Sequence, residues 1–140
     1  MKAVERITKF RGSHAFLSNF WSCPVYFDEE VYGSAEAAFQ AAKTDDLKWR
    51  ERIRHADTPV EAKQLGRQAP LRPDWEKTRV DIMRQILVSK FSNEPLRQKL
   101  LATAPAFLEE GNTWGDRFWG TVDGIGINML GKLLMELRNT

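Results

Sequence analysis

Ser34-Ala35-Glu36-Ala37-Ala38-Phe39-Gln40-Ala41-Ala42-Lys43 is the stretch at which the texture of the chain becomes helical. Ser34 is placed to cap a helix running to Lys43, and the alanines let that helix pack closely against its neighbours. Glu36, Gln40 and Lys43 are spaced by four and three, which sets a carboxylate, an amide and an amine along one helix face. Two readings of the row stand side by side. It is a solvated stripe on an amphipathic helix, or a catalytic row facing a cleft.

Toward the N-terminus the pattern is that of strands. Val4 to Phe10 alternates loosely, and Pro24-Val25-Tyr26-Phe27 and Val31-Tyr32 flank Asp28-Glu29-Glu30 as a short hairpin, where the sheet content is expected to end. Between these segments, Ser18 and Asn19 lie among Phe16, Leu17, Phe20 and Trp21, either as turn residues or as polar groups that need partners such as ribose hydroxyls.

Toward the C-terminus the helical texture continues. Asp45 is placed to start a charged segment reaching His55, and Thr58-Pro59-Val60-Glu61 combines an N-cap, proline at N1 and glutamate at N3. Arg67 and Arg72 lie beside helix boundaries, as surface solubilisers or phosphate ligands. Asp74 is the expected cap of the longest helix, with Trp75, Ile82, Met83, Ile86 and Leu87 on one broad face. Asn93-Glu94-Pro95 restarts a helix carrying Leu96, Leu100 and Leu101 that Pro105 ends, and Asn128 to Arg138 carries Leu130, Leu133, Leu134 and Leu137 at helical spacing. The predicted fold is mostly α, an α+β arrangement with a small N-terminal β-hairpin. A length of 140 residues suits one compact domain spanning 1–140.

Composition narrows the function classes. Hydrophobic residues at 42% and charged residues at 29% describe an ordinary globular chain, and a formal charge of +2 is too small for a general nucleic-acid coat. Cys23 is the only cysteine, and His14 and His55 are far apart, so neither an internal disulfide nor a metal-ligand spacing is expected. The first residues lack the apolar core of a secretory signal and no run approaches transmembrane length, so no membrane contact and a cytoplasmic location are expected.

A second constellation is Glu109-Glu110-Gly111-Asn112-Thr113-Trp114-Gly115-Asp116-Arg117-Phe118-Trp119-Gly120. Tryptophan offers a flat face to a planar ligand, glycine lets backbone approach it, and charged groups fix its polar edges. The same residues also suit a surface turn held by stacked aromatics. Gly124-Ile125-Gly126-Ile127-Asn128 leads into a helix N-terminus whose free N–H groups can hold an anion, but it does not fit the dinucleotide fingerprint.

These segments together resemble the YbiA-like family, also called the NADAR family. The resemblance runs through Leu17-Ser18-Asn19-Phe20, Ser34-x-Glu36-x-x-Phe39-Gln40-x-x-Lys43, Leu65-Gly66-Arg67, Asp74-Trp75-x-x-x-Arg79-x-x-x-Met83 and Lys90-Phe91. It closes on Leu108-Glu109, Trp114-Gly115-Asp116-x-x-Trp119-Gly120, Gly124-x-Gly126-x-Asn128-x-Leu130-Gly131 and Leu134-Met135-x-x-Arg138. It departs at Ala37, where many members carry histidine; the row is left intact, and the change bears on substrate contacts.

The resemblance implies a mostly helical N-glycosidase acting on ribosylated bases, either phosphorylated ribosylamino-pyrimidines of riboflavin synthesis or ADP-ribose attached to guanine, with DNA or RNA as a carrier of the modified base. It implies a Schiff base on Lys43, proton transfer by Glu36, and Glu109 or Asp116 orienting water or ribose hydroxyls. Ser18, Asn19, Gln40, Arg67 and Asn128 join the substrate-binding set. Trp75, Trp114 and Trp119 are candidates for stacking on the base, with Trp75 equally suited to the core. No metal and no cofactor is required. The alternative is a noncatalytic ADP-ribose or nucleotide-binding module, which would tolerate loss of Glu36 or Lys43.

Overall fold

In the computed structural model, which describes residues 5–140, α1 (Ala35–Ala42) begins as expected because Ser34 Oγ accepts from the Ala37 N–H at 3.1 Å. Contacts divide the chain into two units, one running Asn19–Asn93 and the other combining the N-terminal segment up to Ser18 with Glu94–Thr140.

In the first unit α1 is the central element, and all eight of its residues are buried. Its alanines keep the helix thin, so the hairpin and the three helices that follow all pack on it. The hairpin pairs β2 (Ser22–Phe27) with β3 (Glu30–Ser34) in antiparallel register, Val25 opposite Tyr32 and Tyr26 opposite Val31. Its two turn residues, Asp28 and Glu29, both have positive φ, 50° and 69°, as a two-residue turn matching strand twist requires. Arg50 pairs with Asp28 and ties the turn to the next helix.

That helix, α2 (Leu47–Arg54), is capped by Asp46, whose Oδ1 accepts from the N–H groups of Lys48 and Trp49 at 2.9 and 3.3 Å. The expected starter, Asp45, stands one residue too early to reach them. In α3 (Pro59–Gln68), Thr58 Oγ1 accepts from the Glu61 N–H at 3.1 Å, a cap worth about 1 kcal/mol. The Glu61 carboxylate returns to the Asp57 N–H rather than that of Thr58, extending the box by one residue. α4 (Trp75–Lys90) buries Trp75, Ile82, Met83, Ile86 and Leu87 as the spacing predicts, and also Lys90. Asp74 is its N-cap residue as expected, but its side chain makes no cap bond: Arg72 Nε and Nη2 hold the carboxylate at 2.7 and 3.1 Å.

The second unit corrects the expectation that sheet content ends at the hairpin. β1 (Arg6–Ile7) pairs in parallel with β4 (Phe107–Leu108), and isolated bridges join Gly111 to Thr121 and Val122 to Ile125. The strand expected over Val4 to Phe10 thus shortens to two residues; Val4 lies outside the described residues. A 3-10 helix (Gly12–Leu17) follows β1. α5 (Leu96–Ala102) buries Leu96 and Leu100 but leaves Leu101 exposed, and Pro105 follows its end. α6 (Met129–Arg138) buries Leu130, Leu133 and Leu134 and approaches β4 closely at Gly131, where a Cβ would lie 2.1 Å from the Leu108 carbonyl oxygen. The fold is mostly helical with few strands, as the sequence predicts. No helix among the described residues is long and apolar enough to cross a membrane.

Candidate active site

The row on α1 is buried. Glu36 is 8% exposed and Gln40 4%, while Lys43, at the helix C-cap, is half-buried. That excludes the solvated stripe. A carboxylate taken out of water needs donors, and Gln40 Nε2 supplies one to Glu36 Oε2 at 2.7 Å. Upstream, the Glu36 N–H donates to the Asn19 carbonyl at 2.9 Å, which fixes Asn19 beside the start of the helix.

Two buried acceptors in this neighbourhood, Asn19 Oδ1 and Gln40 Oε1, have no hydrogen-bond partner among the described residues. Asn19 Nδ2 meets the Met83 sulfur at 3.7 Å, a weak acceptor. A buried acceptor without a donor costs about 1–3 kcal/mol, so Asn19 Oδ1 is a place where an incoming hydroxyl would recover stability.

Burial pushes the Lys43 amine below its ordinary pKa of 10.5, because the ammonium form is the one that loses hydration. The Glu36 charge opposes that shift, and Arg67 and Lys63 add to it by repulsion. Arg67 is exposed, and its effect on Lys43 is electrostatic repulsion. Arg72 is spent on the fold: its N–H donates to the Lys43 carbonyl at 2.7 Å, and its guanidinium holds Asp74. Trp75 takes the core alternative, 5% exposed with its ring 5.0 Å from that of Phe39.

The remaining candidates lie in the other unit. Glu109 is buried at the end of β4, where Thr121 Oγ1 donates to its Oε2 at 2.5 Å and Arg6 stands 3.5 Å from its Oε1. Asp116 Oδ1 accepts from the N–H groups of Phe118 and Trp119 at 3.0 and 2.9 Å, turning the chain so that the two rings meet edge to face at 4.8 Å. Trp119 is half-buried and Trp114 is 57% exposed. Asn128, at φ 57°, accepts from the Glu110 N–H and donates to the Leu108 carbonyl, both at 2.9 Å, so its amide ties the loop to β4. Ser18 ends the 3-10 helix half-buried, its N–H on the Ala15 carbonyl.

Three residues have roles that the sequence does not assign them. Lys63 acts on Lys43 by charge; its spacing of four from Arg67 puts both on one face of α3, which was the available signal. Gly66 packs against Gln40, and a lone glycine inside a helix is itself a sign of close approach. Asn112 is the hub of the Trp/Gly loop: it accepts from the Asp116 N–H at 3.1 Å and donates to the Asp116 carbonyl at 2.8 Å and to Glu110 Oε2 at 3.0 Å. No local pattern announced it.

Residues 8–140 match the NADAR domain family. The chain is 45% identical to N-glycosidase YbiA of Escherichia coli (strain K12) over 125 residues, covering 86% of this chain and 78% of that protein. It is 39% identical over 130 residues to a riboflavin biosynthesis protein of Vibrio vulnificus (strain YJ016), covering 90% of this chain and 35% of that longer one. The solution NMR structure of the E. coli protein YbiA superimposes with a TM-score of 0.84 at 40% identity, covering 98% of this chain and 83% of that one.

Proposed function

Because the chain belongs to the NADAR domain family, we propose that it is an N-glycosidase that hydrolyses the bond between ribose and a base. The observation that carries this reading is the buried Glu36–Gln40 pair beside a half-buried lysine whose ammonium form is disfavoured. A module that merely binds nucleotide has no use for a lysine held below its ordinary pKa; a nucleophile does.

The steps follow from those groups. Opening of the ribose ring breaks the bond from C1 to the ring oxygen and makes C1 an imine carbon, the hydrogen on the leaving nitrogen passing as a proton to the ring oxygen; a ribosylamino group carries that hydrogen. The neutral Lys43 amine adds to C1, a proton passes to the base nitrogen through Glu36, and the C1–N bond to the base breaks. Water then adds to the lysine imine and frees the sugar as an aldehyde, returning the amine. Asn19 Oδ1 takes a ribose hydroxyl, and Arg67 faces the phosphate. The family match runs through both units without a break, which supports treating 1–140 as one domain. We place the protein in the cytoplasm.

For substrate, we favour a phosphorylated ribosylamino-pyrimidine, a choice supported by one relative being named a riboflavin biosynthesis protein, with ADP-ribosylated guanine, free or carried on DNA or RNA, as the second group. Incubating the purified protein with each and following release of base ranks them. Release from neither, under conditions where the fold is intact, sinks the glycosidase reading.

A further inference from the structure

Gln40 was a natural candidate for touching substrate, yet both ends of its amide are turned toward protein. Nε2 donates to Glu36 Oε2 at 2.7 Å, and Oε1 is buried against α3 at Gly66. The fit there leaves no room. A Cβ built on Gly66 would stand 2.0 Å from Gln40 Oε1, 2.8 Å from its Cδ and 2.9 Å from its Cβ, all inside the closest approach that carbon tolerates. Glycine inside a helix costs about 1 kcal/mol relative to alanine, so a glycine in the buried face of α3 has a cause in packing rather than in local propensity.

The consequence reaches the chemistry. A side chain at position 66 collides with the Gln40 side chain, whose amide makes the bond that holds the Glu36 carboxylate. We propose that Gly66 is a positioning residue for Glu36, acting through Gln40, and that Gln40 serves catalysis by orienting the carboxylate rather than by contacting substrate. This rests on the assignment of Glu36 as the proton-transfer group. Three residues on two helices then act as one device: the glycine of α3 sets the amide, and the amide sets the carboxylate.

The test compares Gly66→Ala, Gln40→Met and the double variant with the wild type, using whichever of ribosylamino-pyrimidine phosphate and ADP-ribosylated guanine nucleotide releases base. Misplacing a catalytic group by about 1 Å costs up to about 100-fold. Both single variants are expected to lose kcat by about 10- to 100-fold with KM nearly unchanged, and the double variant to be no worse than Gln40→Met, since no amide remains to be displaced. Several results overturn the proposal: a raised KM with normal kcat in Gln40→Met, which would place the amide on substrate; normal kcat in Gly66→Ala; or an equal loss from Gly66→Ala in the Gln40→Met background. A Gly66→Ala chain that does not fold makes Gly66 a packing residue and overturns its part, while Gln40→Met still decides the role of the amide. Glu36→Gln separates the two levels. If it turns over normally, both the functional reading and this inference fall; if it is inactive while Gly66→Ala and Gln40→Met keep full kcat, this inference alone falls.

Discussion

The α1 row and the Trp/Gly loop carry similar residue types, carboxylates beside amides with aromatics near, but they use them in opposite ways. In the loop, the polar groups satisfy one another: Asn112 bridges Glu110 and Asp116, Asp116 turns the chain under Phe118 and Trp119, and Asn128 ties Glu110 to β4. Around α1, burial is nearly complete and satisfaction is not. Asn19 Oδ1 and Gln40 Oε1 have no partner among the described residues, and burial lowers the pKa of the Lys43 amine. Saturated polar networks build shape; around α1 the unsaturated Asn19 acceptor is open to a donor from outside the chain, while the Gln40 amide is packed against Gly66 and holds Glu36.

The largest effect that can break this contrast is at Glu36. Glu36→Gln keeps size and hydrogen bonding but removes proton transfer, so turnover is expected to fall by about 10²- to 10⁴-fold, with the melting temperature and ligand affinity near those of the wild type. Steady-state kinetics and a thermal melt decide it. Near-normal turnover would end the claim that the row is catalytic.

Lys43 comes next. Its amine attacks only when neutral, so kcat/KM should rise with pH through a midpoint below the ordinary lysine value of 10.5, the direction that burial imposes. Borohydride added during turnover should leave a reduced sugar adduct on Lys43, read by peptide mass spectrometry, which Lys43→Arg cannot form. Robust activity in Lys43→Arg with no adduct on the wild type would favour direct attack by water.

Lys90 is the control for what burial does alone. It is fully buried, its Nζ 5.0 Å from the Phe91 ring centre, and burial pulls its pKa from 10.5 to about 7, with the Cys23 charge opposing. Lacking access, it should take no adduct. Its signature is in stability: between about pH 7 and 10.5 the unfolded chain binds the proton that the folded one releases, so stability gained by folding grows as pH rises and is lost as pH falls toward 7. The melting temperature of the wild type minus that of Lys90→Met should therefore rise across that window. A flat difference would show that Lys90 titrates normally.

What was legible in the sequence follows the range of the interactions. Ser34, Thr58 and the α4 stripe act on residues a few positions away, and local pattern located them. Asp74 holds the expected cap position but makes no cap bond, because a neighbouring arginine outcompeted the helix N-terminus for its carboxylate. The β1–β4 pairing joins Arg6 to Phe107 in strands of two residues, too short to carry a period and too far apart to be inferred. In the site, the order Glu36, Gln40, Lys43 was readable but its burial was not, since burial depends on three helices and a hairpin that close over α1. The self-sufficiency of the Trp/Gly loop was hidden for the same reason, and its residue types fit a pocket and a turn equally well.

The loop side of the comparison yields two smaller effects. Asn112→Ala leaves the Asp116 backbone N–H and carbonyl without their partners, which should cost about 1–3 kcal/mol in stability, measured by urea denaturation, with little effect on kcat per folded molecule. A stable Asn112→Ala protein with reduced kcat would mean that the network serves chemistry rather than shape.

The smallest effect is the most discriminating, and it is at Trp114. Its ring is 57% exposed, so removing it should change stability by no more than about 0.5 kcal/mol, the usual range for surface substitutions. If the ring stacks on the base of the substrate, Trp114→Ala loses a contact worth roughly 1–3 kcal/mol, and an exposed ring belongs at the low end, about a fivefold rise in KM with kcat preserved. Trp119→Ala should behave differently, because that ring is half-buried against Phe118 and its loss lowers the melting temperature as well. Normal KM in both variants, with early melting in Trp119→Ala alone, would make the loop scaffold throughout and leave recognition of the base to residues other than these two tryptophans.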